Sequence, residues 1–307
     1  MPGDRKRIIA QLFVALALAC VVVMFAQQRR FAARSLRTHA RGESLSAGNM
    51  ASANQHKQGI LEERSGAVTP KVLAPESAAV KVVSIAKKVS MSEAIVGHSV
   101  ESRPIICRRI GDGEYVVLMM ASIHGNEAAG TPLLNRLAED VVENPDLLTG
   151  VTLVLMPVVN PDGVESEKRY NARGVDLNRN FPAENRQNSS RYGLNALSEP
   201  EALAIYQVIN DTLPNHIVTL HEPLQCVDYD GPAKELAKVM SEHCPLPVKK
   251  LGSRPGSLGS YAGVTLGIPT ITFELPRNAA IQSPEFLWRF YGEALIQAVQ
   301  HRHRTSE

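Results

Sequence analysis

Residues 115–127 of this chain have the sequence YVVLMMASIHGNE. The run from Val116 to Met120 is unbroken and apolar, which predicts a strand buried on both faces of a mainly parallel sheet. Small residues follow this run, and His124 and Glu127 then stand three positions apart. The carboxyl ends of strands are where open α/β sheets bind ligands. An imidazole and a carboxylate suit zinc, which needs a third protein ligand and an open position to be catalytic.

Strands and helices alternate through the rest of the folded region. Apolar runs and turn residues predict further strands at residues 95–100, 104–107, 151–159, 216–220 and 269–273, and helices at 128–142, 198–209, 233–240 and 284–300. Residues 160–163, NPDG, predict a turn, and residues 198–201, SEPE, predict a capping box. This alternation predicts a single-domain, doubly wound α/β fold with a mixed, mainly parallel sheet and helices on both faces.

Length and composition exclude several classes of protein. The chain has 307 residues, of which 44% are hydrophobic, so it is long enough for one large domain or two small ones. A net charge of +2 gives no reason to expect a nucleic-acid partner. The four cysteines lack the close paired spacing of a structural zinc site. Cys226 and Cys244 either pair in an oxidising compartment or remain free thiols.

The N-terminal region differs in composition from the rest. Residues 8–26 form an apolar run interrupted only by Gln11, with basic residues on both sides, and a membrane span needs ~20 such residues. We expect residues 1–30 to be an uncleaved membrane anchor, residues 31–78 a flexible linker and residues 79–307 the catalytic domain. The expected location is the inner membrane, with the catalytic domain in the periplasm. A cleaved signal peptide, which would release the domain into the periplasm, is the alternative.

Two further residues stand at the ends of predicted strands. His221 follows the strand at 216–220 and is the third candidate metal ligand beside His124 and Glu127. Glu274 follows the apolar run at 269–273 and suits a general base, because burial raises the pKa of a carboxylate towards the working range. Other interpretations are a hydrogen-bonded structural histidine at 221, a strand-end ion pair for Glu274 and a capped helix start at Glu127.

The segment at residues 169–181, RYNARGVDLNRNF, is dense in arginine and asparagine. A guanidinium group can donate two parallel N–H hydrogen bonds to the two oxygens of one carboxylate. The segment is therefore a candidate receptor for a substrate carboxylate and a developing oxyanion, with a solvated basic loop as the alternative.

These motifs together resemble those of the zinc carboxypeptidases of the carboxypeptidase A type, over about residues 95–300. The matching motifs, in order, are His124-Gly-Asn-Glu127, Asn160-Pro-Asp-Gly163, Arg169-x-Asn171, Gly174-Val-Asp-Leu-Asn-Arg-Asn-Phe181, His221 and Phe273-Glu274-Leu275. Three other segments resemble the bacterial murein peptide amidase branch of that family: His221-Glu-Pro-Leu-x-Cys226, Tyr229-Asp-Gly-Pro232 and Gly256-Ser-Leu-Gly-Ser260.

The resemblance implies a role for each matching residue. One Zn²⁺ per chain would be held by His124, Glu127 and His221. Glu274 would be the general base and Arg169 the oxyanion donor. Asn178 and Arg179 would bind the terminal carboxylate of the substrate.

The substrate pocket departs from the pancreatic members of that family. Counted back from Glu274, Gly252 stands where those enzymes have a mobile tyrosine, and Gly259 stands at the base of the specificity pocket. We therefore expect no single charge to select the substrate side chain there. Ser257, Ser260 and Tyr261 are the nearby candidates for substrate contacts.

The sequence thus predicts a monomeric zinc metallocarboxypeptidase that hydrolyses an amide bond next to a free carboxylate. The expected partners are a peptide or murein peptide and the membrane, with no nucleic acid. The resemblance implies the γ-D-glutamyl–meso-diaminopimelate bond as the target. A general peptide carboxypeptidase and an inactive peptide-binding module are the alternatives. A desuccinylase or deacylase would share the metal ligands, but we would not expect it to share the segment at 174–181.

Overall fold

One mixed sheet forms the centre of the part of the chain that this computed structural model describes, residues 89–302. Its strands are β1 (Met91–His98), β2 (Pro104–Ile110), β3 (Tyr115–Ala121), β4 (Val151–Met156), β5 (His216–His221), β6 (Leu224–Asp230) and β7 (Thr270–Pro276). The spatial order is β1-β2-β4-β3-β5-β7-β6. β4, β3, β5 and β7 are parallel, and β1, β2 and β6 run antiparallel to their neighbours at the two sides.

Helices cover both faces of this sheet. They are α1 (Gly130–Glu143), α2 (Pro161–Glu165), α3 (Pro200–Thr212), α4 (Lys234–Glu242) and α5 (Pro284–Gln300). Alternate residues of β3 belong to two separate apolar clusters. Val117 and Met119 pack with α1, α4 and α5, whereas Leu118 and Met120 pack with α3. The predicted α/β fold with a mixed, mainly parallel sheet is therefore confirmed.

Several predicted elements differ in detail. The turn at residues 160–163 is the start of α2, where the side chain of Asn160 accepts a hydrogen bond from the Gly163 nitrogen. The predicted capping box does not form, because Glu199 is the N-cap residue of α3 and makes no side-chain cap. β6 was not predicted, since polar side chains interrupt its apolar pattern. Glu274 lies within β7, which continues to Pro276.

The predicted anchor at residues 1–30 and the linker at 31–78 lie outside the described residues. Within residues 89–302, no helix has both the length and the apolar character needed to cross a membrane. Among the described residues, Cys226 and Cys244 are free thiols, as is Cys107.

Candidate metal centre and substrate cavity

The register of the parallel strands brings the candidate site residues together. Ala121 of β3 is level with Leu220 of β5, and Leu220 is level with Phe273 of β7. The next residues in β5 and β7, His221 and Glu274, are therefore direct neighbours. The loop after β3 carries His124 to the same edge.

His124, Glu127 and His221 form one compact, buried group. His124 Nδ1 lies 2.9 Å from Glu127 Oε1, and His221 Nδ1 lies 2.9 Å from Glu127 Oε2. One potential ligand atom from each residue lies within 4.8 Å of the others. The structure thus unites the three residues that the sequence proposed as metal ligands.

The chemistry of this group fits zinc. Two imidazoles and one carboxylate, with further positions open to the cavity, are the donor set of a catalytic zinc site. His124 Nδ1 is buried and faces Glu127, but it has no hydrogen-bond partner among residues 89–302, and the same is true of His221 Nε2. A buried nitrogen left without a partner is costly unless something else binds it. A metal ion held by one nitrogen of each histidine removes part of that cost.

Asp176 contacts His124 through the ring nitrogen that does not face Glu127. The sequence analysis did not single out this residue. His124 Nε2 lies 3.1 Å from Asp176 Oδ1, and Arg169 Nε donates to Asp176 Oδ2 at 3.2 Å. Burial alone would raise the pKa of Asp176, but His124 and the charges of Arg169 and Arg179 hold it well below the usual range. A carboxylate of this kind orients a ligating histidine and selects its tautomer. Its sequence signals were its place in the segment dense in arginine and asparagine and in the matching motif at residues 174–181.

A close backbone contact holds the loop that carries two of the ligands. A side-chain carbon on Gly125 would lie 1.9 Å from the carbonyl carbon of Gly163, so the two backbones touch. Asn160 fastens this contact, because its side chain accepts from Gly163 N and donates to the carbonyl oxygen of Ile123. The motifs at 124–127 and 160–163 are therefore two halves of one structural unit.

Glu274 faces the metal group from the neighbouring strand. It is buried, and its Oε2 accepts a hydrogen bond from the Leu224 nitrogen at 3.2 Å. Burial raises the pKa of Glu274 above the usual range of a glutamate, although His221 and the bond from Leu224 oppose the shift. A partly desolvated carboxylate in this position is suited to proton transfer.

The guanidinium group of Arg169 donates hydrogen bonds to both Glu127 and Asp176. Its Nη1 donates to Glu127 Oε1 at 2.9 Å, in addition to the bond from Nε to Asp176. It also lines the cavity beside the metal group. Within residues 89–302, its Nη2 makes no hydrogen bond, which leaves a donor for a substrate oxygen.

Asn178 and Arg179 line the same cavity. The side-chain oxygen of Asn178 accepts from the Leu258 nitrogen at 2.8 Å, so this residue also positions the segment that follows Ser257. Arg179 donates to the Asn178 carbonyl oxygen and forms no ion pair within residues 89–302. Burial lowers the pKa of Arg179, which means that its charge is incompletely solvated. Such a guanidinium favours binding of an anion.

The cavity has a volume of about 250 Å³ and contains some of the predicted substrate contacts but not others. Ser257, Gly252 and Gly259 line it. The hydroxyl of Ser260 instead donates to Asn185 Oδ1 at 2.7 Å. Tyr261 is buried among apolar residues, with its ring stacked on Phe181. The structure therefore places Ser260 and Tyr261 in the protein interior, and Tyr261 does not replace the missing tyrosine.

The expectation of an uncharged pocket base is wrong. Asp228 and Asp230 of β6 line the cavity, and a side-chain carbon on Gly259 would lie 2.0 Å from Asp230 Oδ2. The sequence analysis missed both carboxylates because it did not predict β6.

The sequence profile of the zinc carboxypeptidases matches residues 80–242. The chain therefore belongs to the zinc carboxypeptidase family of hydrolases, and its cofactor is zinc.

Among individual relatives, murein peptide amidase A of Escherichia coli (strain K12) is 33% identical over 186 residues, which cover 55% of this chain and 74% of the relative. The crystal structure of a murein-tripeptide amidase from Escherichia coli O157 is 28% identical with a TM-score of 0.56, covering 69% of this chain and 94% of that one. Carboxypeptidase A of Helicoverpa armigera shares the fold, at 21% identity and a TM-score of 0.57 over 68% of this chain and 66% of that one.

Proposed function

We propose that this chain hydrolyses the amide bond between the γ-carboxyl group of D-glutamate and meso-diaminopimelate in murein peptides. One observation carries the proposal: the two candidate carboxylate-binding residues, Asn178 and Arg179, line the same cavity as the metal group and Glu274. A substrate carboxylate bound by Arg179 places the neighbouring amide beside the metal group. The names of the relatives in Escherichia coli supply the murein peptide as the substrate class.

The residues of the chain divide the chemistry between them. When bound, zinc is a Lewis acid that makes a water nucleophile available near neutral pH. Glu274 accepts the proton of the attacking water and delivers it to the leaving amine. Arg169 donates to the carbonyl oxygen as negative charge develops on it. Asn178 and Arg179 hold the carboxylate of the residue that leaves, which fixes the scissile amide relative to Glu274.

The test is hydrolysis of defined peptides by the zinc-loaded full chain, with products identified by mass. We expect release of diaminopimelate from L-alanyl-γ-D-glutamyl-meso-diaminopimelate. The variant Glu274→Gln should be slower by ~10²–10⁴-fold, because proton transfer contributes that much, while it retains zinc. Release of C-terminal residues from ordinary α-linked peptides, with the murein peptide left intact, would instead establish a general carboxypeptidase. Binding of peptides without hydrolysis would establish an inactive binding module.

A further inference from the structure

The segment at residues 251–256 borders the cavity and carries an arginine, Arg254, to which no role has been assigned above. Arg254 lines the cavity and is exposed. Two other arginines line the cavity: Arg169 is hydrogen-bonded to two carboxylates, and Arg179 is the candidate receptor for the carboxylate beside the scissile amide. Within residues 89–302, the guanidinium group of Arg254 makes no hydrogen bond or ion pair. All of its donors are therefore available to a ligand in the cavity.

Both ends of this segment are held against the wall of the cavity. At one end, the Leu251 nitrogen donates to Asp228 Oδ1 at 2.8 Å. At the other end, a side-chain carbon on Gly256 would lie 2.4 Å from the carbonyl oxygen of Arg179, so the two backbones touch. Arg254 therefore belongs to the stretch of chain that connects the acidic side of the cavity to the candidate carboxylate receptor.

Arg254 is close enough to Arg179 for their charges to interact. Burial lowers the pKa of Arg179, the charge of Asp176 opposes that shift, and the charges of Arg169 and Arg254 lower the pKa further. Guanidinium groups that repel one another are stabilised by anions, and each can bind one carboxylate through two hydrogen bonds. A ligand with two carboxylates can therefore satisfy Arg179 and Arg254 together.

The charges around Arg254 indicate the chemistry of the second group. Asp228 and Asp230 line the cavity on the side to which Leu251 is bonded, and carboxylates suit an amine. Arg254 supplies the opposite charge and suits a carboxylate. An amine and a carboxylate on the same carbon match both charges. The end of meso-diaminopimelate that is remote from the scissile amide has this structure, whereas the side chain of lysine ends in an amine alone.

We infer that Arg254 binds the second carboxylate of the residue that the enzyme releases, at the end remote from the scissile amide. This inference rests on the proposed function for the orientation of the substrate, with its first carboxylate on Arg179. Arg254 is then a specificity-determining residue. It separates meso-diaminopimelate from lysine, since both carry a side-chain amine and only the former carries the second carboxylate.

The experiment measures kcat/KM of the zinc-loaded full chain on two pairs of substrates. The first pair is L-alanyl-γ-D-glutamyl-meso-diaminopimelate and the same peptide ending in L-lysine. The second pair is L-alanyl-L-alanine extended, through an ordinary α-linkage, by meso-diaminopimelate or by L-lysine. We expect wild type to favour the diaminopimelate member of every pair that it cleaves by ~5–10-fold. The exposure of Arg254 to solvent keeps this below the effect of a fully buried charged hydrogen bond.

The variant Arg254→Gln should lose most of this preference and retain the wild-type rate on the lysine peptides, which also shows that it is folded. Arg289→Gln is the matched control, because Arg289 is an exposed arginine of α5 that does not line the cavity, and this variant should keep the preference. The preference of wild type should also shrink as salt is added, since salt screens an exposed ion pair.

Three results would overturn the inference. Wild type may cleave both members of a pair equally, Arg254→Gln may keep the preference, or Arg254→Gln may slow both members equally, which would assign Arg254 to the carboxylate that they share. Because the second pair lacks the γ-glutamyl linkage, an Arg254-dependent preference there supports the inference even where the murein peptide is not cleaved. Cleavage of neither pair would contradict both the proposed function and the role of Arg254.

Discussion

At the scale of single residues, Asp176 contacts both a candidate metal ligand and the candidate oxyanion donor. It binds His124 Nε2 and Arg169 Nε through different oxygens, and its Oδ1 also accepts from the Asn178 nitrogen. One side chain therefore orients three residues of the site. A carboxylate that is hydrogen-bonded to the non-ligating nitrogen of a metal-bound histidine typically contributes ~10–100-fold to metal affinity.

We expect Asp176→Ala to weaken zinc binding by ~10–100-fold, because His124 loses the partner that orients its ring. Asp176→Asn should have a smaller effect, since the amide oxygen still accepts a hydrogen bond. Competition with a chromophoric chelator measures the affinity. Asp146→Asn is the control, because Asp146 is exposed in the short helix Pro145–Leu148 and does not line the cavity. An unchanged zinc affinity in the alanine variant would show that His124 is oriented by other contacts.

Arg179 is expected to bind the carboxylate beside the scissile amide with two parallel hydrogen bonds. Lysine keeps the charge but lacks the planar fork, so Arg179→Lys should lower kcat/KM by at least ~10-fold, from charged hydrogen bonds worth ~1.5–3 kcal/mol. The loss should concern substrates with the free carboxylate. Substrates amidated at that position should be poor for wild type and change little in the variant. An equal loss for both kinds of substrate would argue against this role of Arg179.

At the scale of elements, the loop after β3 and the start of α2 are mutually dependent. Gly125 and Gly163 permit a backbone contact that no side chain would allow, and it places His124 and Glu127 relative to the sheet. Asp162, next to Gly163, accepts hydrogen bonds from the Ser99 hydroxyl and the Glu101 nitrogen. Helix α2 thus connects the metal loop to the turn between β1 and β2.

We expect Gly125→Ala to lower the free energy of unfolding by ~1–3 kcal/mol, because the added carbon overpacks the contact with Gly163. It should also weaken zinc binding, since the loop must move. Gly150→Ala is the control: Gly150 has a φ of +70° and open space around it, so alanine there costs ~1–2 kcal/mol of backbone strain without affecting zinc. Urea denaturation and zinc titration separate the two effects. Normal zinc affinity in Gly125→Ala would mean that the loop tolerates the displacement.

At the scale of the whole molecule, the sheet separates two apolar clusters, and residues at the ends of β5 and β7 line the cavity. Residues 1–30 lie outside the described region. We propose that they anchor the chain in the inner membrane with the catalytic domain in the periplasm.

The proposal predicts that the full chain sediments with membranes and that protease added to spheroplasts digests the catalytic domain. The apolar run at residues 8–26 is long enough to span the bilayer core, which requires ~20 residues. A variant without residues 1–30 should appear in the soluble fraction. Protection of the domain until the spheroplasts are lysed would reverse the orientation, and a shortened N-terminus on the mature chain would favour a cleaved signal peptide.

The fold and the metal group were accessible from the sequence because their patterns are local. The apolar run of β3 specifies a strand buried on both faces, and Pro284–Gln300 was predicted with its observed bounds. His124, Glu127, His221 and Glu274 each stand at or near the end of an apolar run. Parallel strands bring such ends to one edge whatever the details of packing.

Only the tertiary structure revealed Asp176 behind His124 and Asp230 beside Gly259. The partners in the first contact are 52 positions apart in the chain, and the second contact joins β6 to the helical segment Gly259–Thr265. Such contacts depend on strand order and register, which hydrophobic periodicity does not encode for a polar edge strand. The sequence by itself therefore determined the parallel strands at the centre of the sheet and the three residues that could hold zinc. The charge of the pocket was decided by the tertiary structure, because it arises where an antiparallel edge strand packs against the helical segment Gly259–Thr265.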